Sequence, residues 1–135
     1  MKSVKVSDYM ARQLVTLRAD TSVVEALGLL LDKRISGAPV VDDDGTLIGM
    51  LSEVDLMQVF IQDSYYDENA GIVGDYMHAP VETVTPDMDI YSLAEQFRKA
   101  RRRRYPVVKN GKLVGQISRR DVLRAARDLM SKRSG

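Results

Sequence analysis

A chain of 135 residues, 44% hydrophobic and 29% charged, holds enough apolar matter for one compact domain or two small halves sharing a core. It has no Cys, which excludes disulfides and thiolate metal sites, and its longest apolar run is far too short to span a bilayer. Its net charge of +1 is unevenly divided: residues 1–71 hold 6 Lys/Arg against 12 Asp/Glu, and residues 72–135 hold 14 against 7, so an anionic ligand is expected on the second half.

In chain order, two stretches repeat. Val6-Ser7-Asp8-Tyr9-Met10 recurs as Val73-Gly74-Asp75-Tyr76-Met77, a shift of 67 that also carries Pro39-Val40-Val41 onto Pro106-Val107-Val108. Leu14–Leu17 and Val81–Val84 read as short strands. Ser22–Lys33 is predicted helical, with Val23, Ala26, Leu27, Leu30 and Leu31 on one face, and its counterpart starts near Asp89 with Ile90, Leu93, Ala94 and Phe97 inward. Asp20 or Ser22, and Asp87 or Asp89, are the candidate N-caps. Ala38–Asp42 and Leu47–Ser52 form a hairpin across Asp44-Gly45; Tyr105–Lys109 and Lys112–Ser118 form another across Asn110-Gly111. One residue is lost at the second hairpin tip, so the shift becomes 66. Residues 62–71 read as a polar surface loop carrying Tyr65 and Tyr66, and the tail from Ser131 is expected to fray.

Each hairpin ends in the same phrase, Gly49-Met50-Leu51-Ser52-Glu53-Val54-Asp55 and Gly115-Gln116-Ile117-Ser118-Arg119-Arg120-Asp121. Ser falls at a helix N-cap and Asp on the first turn, which is an anion-attracting place. Ser-x-x-Asp is also a near relative of the capping box, and capping alone accounts for it. The helices that follow, with Val54, Leu56, Met57, Val59, Phe60 and Ile61, and with Val122, Leu123, Ala125, Ala126, Leu129 and Met130, are apolar on more than one side. A second side needs a partner, either the sister repeat or a second chain.

Ile35-Ser36-Gly37-Ala38-Pro39-Val40-Val41-Asp42 and the doubled Gly-x-x-Ser-x-x-Asp resemble the CBS (cystathionine β-synthase) domain in tandem, the Bateman module, over nearly the whole chain. The resemblance implies a mixed α/β (α+β) fold of two β-α-β-β-α repeats, residues 10–67 and 77–133, packed about a pseudo-twofold axis into one module. It implies two clefts that bind an adenosine nucleotide, AMP or ATP, as a regulatory ligand, with the motif Asp on the ribose hydroxyls. One cleft would use Val15, Ile35, Ser36, Gly37, Ala38, Arg104, Ser118, Arg119 and Asp121. The other would use Ser52, Asp55, Glu82, Arg102, Arg103 and Tyr105. The second repeat has Arg102-Arg103-Arg104 where the first has Ile35-Ser36-Gly37, so the clefts are expected to differ, the Asp121 cleft favouring phosphate.

The basic run Arg101–Arg104 reads equally as a solvated helix end. Aromatic interleaving for stacking bases is absent, so nucleic acid is not an expected partner. Asp42–Asp44 reads as a turn, and His78 has no Cys or His companion, so no metal is expected. No nucleophile–base pair emerges, so no catalytic residue and no enzyme are expected, and no cofactor is required. The expected protein is a cytoplasmic regulatory module without a membrane anchor. It would be a homodimer through the repeat-terminal helices, acting on an unknown protein target or through assembly state, because no further domain follows the second repeat. The competing reading is a structural adaptor whose clefts stay empty.

Overall fold

The computed structural model describes residues 4–62 and 71–134, with side chains described as far as Ser131. The expected loop residues Asp63, Tyr65, Tyr66, Asp67, Glu68 and Asn69 lie outside the described residues. The chain divides into two compact units: residues 15–81, and residues 1–14 together with 82–135.

In the first unit, α1 spans Val23–Lys33. Ser22, not Asp20, is its cap, and the Ser22 Oγ accepts from the Glu25 N–H at 3.0 Å. Arg34 ends the helix in the left-handed region at φ 55°. Strands β1 (Gly37–Val41) and β2 (Leu47–Ser52) pair antiparallel with Gly37 opposite Ser52. Their turn is held by Asp42, whose carboxylate accepts from the N–H groups of Asp44 and Thr46, each at 2.9 Å. Helices α2 (Glu53–Gln62) and α3 (Val73–Tyr76) follow. The core joins Val23, Ala26 and Leu30 of α1 to Val40, Leu51, Leu56, Val59 and Val73.

The second unit repeats the pattern. Helix α4 (Ile90–Lys99) is capped by Asp89, which accepts from the Ser92 N–H at 3.2 Å. Strands β3 (Arg104–Lys109) and β4 (Lys112–Ser118) pair with Lys109 opposite Lys112, which leaves a two-residue turn. Asn110 and Gly111 take φ values of 53° and 81° there, as a tight primed hairpin turn demands. The shorter tip is the one-residue difference between the repeats. Helix α5 runs from Arg119 to Ser134 and so continues past Ser131, in keeping with good helix formers such as Arg124, Ala125, Ala126, Leu129 and Met130.

The two expected opening strands are single parallel bridges, Leu17 to Val40 and Val84 to Val107. Only one residue of each stretch lies flush with the sheet: Leu17 donates to Pro39 O and accepts from Val41 N–H, both at 2.9 Å. A turn follows at once, since Thr21 N–H donates to Arg18 O.

The duplicated segments pack on the opposite repeat in sequence. Val6 to Met10 belongs to the second unit, where Val6 is fully buried and Ala11 exchanges two hydrogen bonds with Gln116. Val73 to Met77 belongs to the first, where His78 exchanges two with Met50. The motif glycines make room for these segments: a Cβ on Gly49 would lie 2.6 Å from Met77 Sδ, and one on Gly115 2.9 Å from Ala11 O. It is the protein's own chain that approaches here.

Tyr9 fastens its segment to α5 by donating its hydroxyl to Asp128 Oδ2 at 2.6 Å, and this bond, with burial, holds the phenol above its ordinary value of 10.0. A raised folded-state value stabilises below the unfolded one and is lost as pH rises through the folded one. The unfolding free energy of the wild type in urea should exceed that of Tyr9→Phe by about 1 kcal/mol at neutral pH, the usual net contribution of one hydrogen bond. The difference should hold flat to pH 10.0 and shrink above it.

Candidate functional site

The two Ser-x-x-Asp phrases build the same object at the starts of α2 and α5. Ser52 N–H donates to Asp55 Oδ2 at 2.7 Å, and Asp55 N–H donates back to Ser52 Oγ at 3.3 Å. Ser118 and Asp121 do the same at 2.8 and 3.2 Å. Each Ser hydroxyl also donates to the same Oδ2 at 3.0 Å. This is a reciprocal capping box with Asp in the place of Glu. It consumes one carboxylate oxygen, Oδ2, and leaves Oδ1 outside the cap in both copies.

The partners of the two carboxylates then diverge. His78 Nδ1 lies 3.1 Å from Asp55 Oδ2. Arg124 donates to Asp121 Oδ1 at 3.0 Å and to the Tyr9 carbonyl at 3.1 Å. Neither residue was among the expected site residues. The signal for Arg124 was present, since residues three apart on a helix meet. The signal for His78 was its place in the repeat, where the other copy has Ala11.

The remaining expected residues fall around these starts, unit by unit. In the first, Ser36 O accepts from Glu53 N–H at 2.9 Å, and Gly37 lies across from Ser52, where a Cβ would come 3.0 Å from Leu51 O. Ile35 and Gly37 are half-buried, Ala38 is buried, and Val15 is half-buried before the Leu17 bridge. In the second, Arg103 O accepts from Arg119 N–H at 3.1 Å and Arg104 lies across from Ser118. Arg102 is tied to Glu82 at 2.8 Å, with its guanidinium 6.0 Å from the centre of the Tyr105 ring. Tyr105 is fully buried. Each expected grouping draws on both units. Within a unit, the structure joins Ser36 to Glu53 and Gly37 to Ser52, and Arg103 to Arg119 and Arg104 to Ser118.

Two hollows adjoin the helix starts. Leu27, Leu30, Leu31, Arg34, Ile35, Ser36, Glu53, Leu56, Met57 and Phe60 line an apolar groove of 680 Å³ between α1 and α2. Ser118, Arg120, Asp121, Leu123, Arg124 and Arg127 line a basic hollow of 480 Å³. Among the described residues, no group of three or more His, Cys, Asp or Glu is placed to hold a metal ion. No helix among them is long and apolar enough to cross a membrane.

The sequence profile of the CBS domain matches residues 6–62 and 73–131. CBSX1 of Arabidopsis thaliana is 33% identical over 158 residues, a match covering 96% of this chain and 66% of CBSX1. MJ1225 of Methanocaldococcus jannaschii is 31% identical over 119 residues, covering 88% of this chain and 41% of MJ1225. The chain thus spans between two fifths and two thirds of these relatives' length. The crystal structure of CBSX2, from Arabidopsis thaliana, in complex with AMP is 33% identical with a TM-score of 0.80, covering 93% of this chain and 98% of that one. The doubled capping-box Asp, the two helix-flanked hairpins and these likenesses agree: the chain belongs to the CBS domain family and carries the domain twice.

Proposed function

We propose that the chain is a regulatory module that senses an adenosine nucleotide, AMP or ATP, rather than a catalyst. The observation that carries this reading is the division of labour in the motif carboxylate. One oxygen caps the helix, and the other is left over for a donor from outside the cap. A ribose offers two adjacent hydroxyl donors, which suit carboxylate lone pairs. Ser52 with Asp55 and Ser118 with Asp121 are the two ribose seats. The backbone at Ile35–Ala38 and Arg102–Tyr105, with Val15 and Glu82, supplies contacts to the base, and Arg104 and Arg119 supply charge for phosphate. The likeness to CBSX2, crystallised with AMP, supports the ligand class. Output passes to a protein target or through assembly state.

Thermal melting against adenosine, AMP, ADP, ATP and S-adenosylmethionine tests it. A ligand present at 100 times its dissociation constant should add about 2.7 kcal/mol. Asp55→Ala and Asp121→Ala separate the seat from the cap. A lost cap alone costs about 1 kcal/mol of stability and leaves affinity alone. A lost seat lowers affinity at least about tenfold, as expected for a hydrogen bond to a charged acceptor. Destabilisation without loss of affinity in both variants would show that the phrase is only a cap.

The adaptor reading draws on a different observation: the apolar groove between α1 and α2. We assign this face to a second copy of the chain. We further propose that the twofold copy sets Arg34 of each chain against Glu53 of the other, since both line the groove. The groove shares Ile35 and Ser36 with the segment assigned to the base, so dimerisation and nucleotide binding meet at that end of α1.

A further inference from the structure

The two motif carboxylates are equally accessible, with side chains 18% and 19% exposed for Asp55 and Asp121, but they are not equally occupied. At Asp121 both oxygens already accept, Oδ2 from the cap and Oδ1 from Arg124, which leaves Oδ1 a single lone pair. Arg124 is fixed from two further sides, by its bond to the Tyr9 carbonyl and by the Tyr9 ring, whose centre lies 5.5 Å from the guanidinium carbon. The first unit has Gln58 at the matching position. There the neighbouring side chain is His78, and it sits on Oδ2, the oxygen already in the cap. No donor among the described residues reaches Oδ1 of Asp55.

We infer that Arg124 is an internal competitor for the Asp121 seat, so that a ligand bearing a vicinal diol meets an unengaged carboxylate oxygen at Asp55 and a half-engaged one at Asp121. This rests on the reading that the motif carboxylates seat a ribose. Both hydroxyls of the diol can bond Asp121 Oδ1 only as Arg124 leaves, giving up an ion pair, a carbonyl bond and a ring contact. Half-exposed ion pairs and cation–π contacts together weaken a competitor by roughly threefold to tenfold. The sites therefore fill in order, Asp55 first. The charge of Arg104 and Arg119 acts on phosphate and can offset the order only for phosphorylated ligands. Arg124 is a selectivity residue: it sets which seat a neutral nucleoside takes.

The test uses adenosine, which carries no phosphate. Calorimetry on Asp55→Asn, which keeps a cap oxygen, isolates the Asp121 seat. Adding Arg124→Gln, the residue of the sister repeat, should tighten that seat roughly threefold to tenfold. In Asp121→Asn, the same Arg124→Gln change should leave adenosine binding at Asp55 unaltered. Unchanged or weaker binding in Asp55→Asn/Arg124→Gln overturns the inference while the ribose reading stands. A double-mutant cycle on ligand-free stability with Arg124→Gln and Asp121→Asn should show coupling, and its absence overturns the inference whether or not any ligand binds. Coupling without adenosine binding by any of these proteins, the wild type included, overturns the ribose reading and the inference with it.

Discussion

Tyr105→Ala should lower the unfolding free energy by about 3–5 kcal/mol, the usual range for deleting a buried aromatic ring. Tyr105 is 0% exposed and heads the fully buried side chains by volume. Its ring lies 4.9 Å from that of Phe97 at a tilt of 43°, among Ile90, Leu93, Val107 and Ile117. Small domains have about 5–15 kcal/mol to lose, so the second unit should be partly unfolded in this variant at room temperature. Tyr105→Phe should behave in the opposite sense. The Tyr105 hydroxyl is buried with no partner among the described residues. Removing it relieves an unmet desolvation cost and should leave stability equal or higher by up to about 1 kcal/mol. Urea unfolding of the two variants decides the matter. A loss of more than about 1 kcal/mol in Tyr105→Phe would mean that an ordered water satisfies the hydroxyl. The same pair bears on binding. A ring this deep meets a ligand through its backbone, so Tyr105→Phe should keep the wild-type affinity for AMP.

Much of this was legible in the chain because local chemistry dictated it. Asp-Gly and Asn-Gly placed both hairpins, and the one-residue slip between the repeats is the difference between an Asp42-braced loop and a two-residue primed turn. Ser-x-x-Asp placed both helix starts, and the capping box forms in both. What was not legible depends on which surfaces meet. Internal alignment pairs Val6–Met10 with Val73–Met77, but it cannot say on which repeat each segment packs, because both offer a glycine-cleared groove. Leu14–Leu17 has strand propensity, but the turn at Arg18–Thr21 allows only Leu17 to bridge. Helical periodicity likewise marked both terminal helices as apolar all round. In α5, however, Val122 and Leu129 lie against their own core, and the exposed apolar residues reduce to Leu123 and Met130. The excess face belongs to the first unit.

That face carries the last prediction. Phe60→Asp should dissociate a dimer, raising its dissociation constant by at least about a hundredfold, as burial of an unpaired charge at an interface centre does. Along α1 and α2, Leu31, Val54, Met57, Phe60 and Ile61 are each at least 60% exposed, a density of large apolar side chains that solitary soluble surfaces seldom carry. Sedimentation velocity at tens of micromolar, an order-of-magnitude range for modest association, should give a dimer for the wild type and a folded monomer for Phe60→Asp. Leu129→Asp is the contrasting control. Leu129 packs on the core of its own unit, so its charge should cost stability rather than association. The twofold arrangement has its own test. Arg34→Glu and Glu53→Arg should each weaken the dimer by placing like charges across the interface, and the two together should restore it, because each chain then offers the exchanged pair. A monomeric wild type sinks the assignment of this face to a second copy. A dimer insensitive to Phe60→Asp moves the interface elsewhere on the chain.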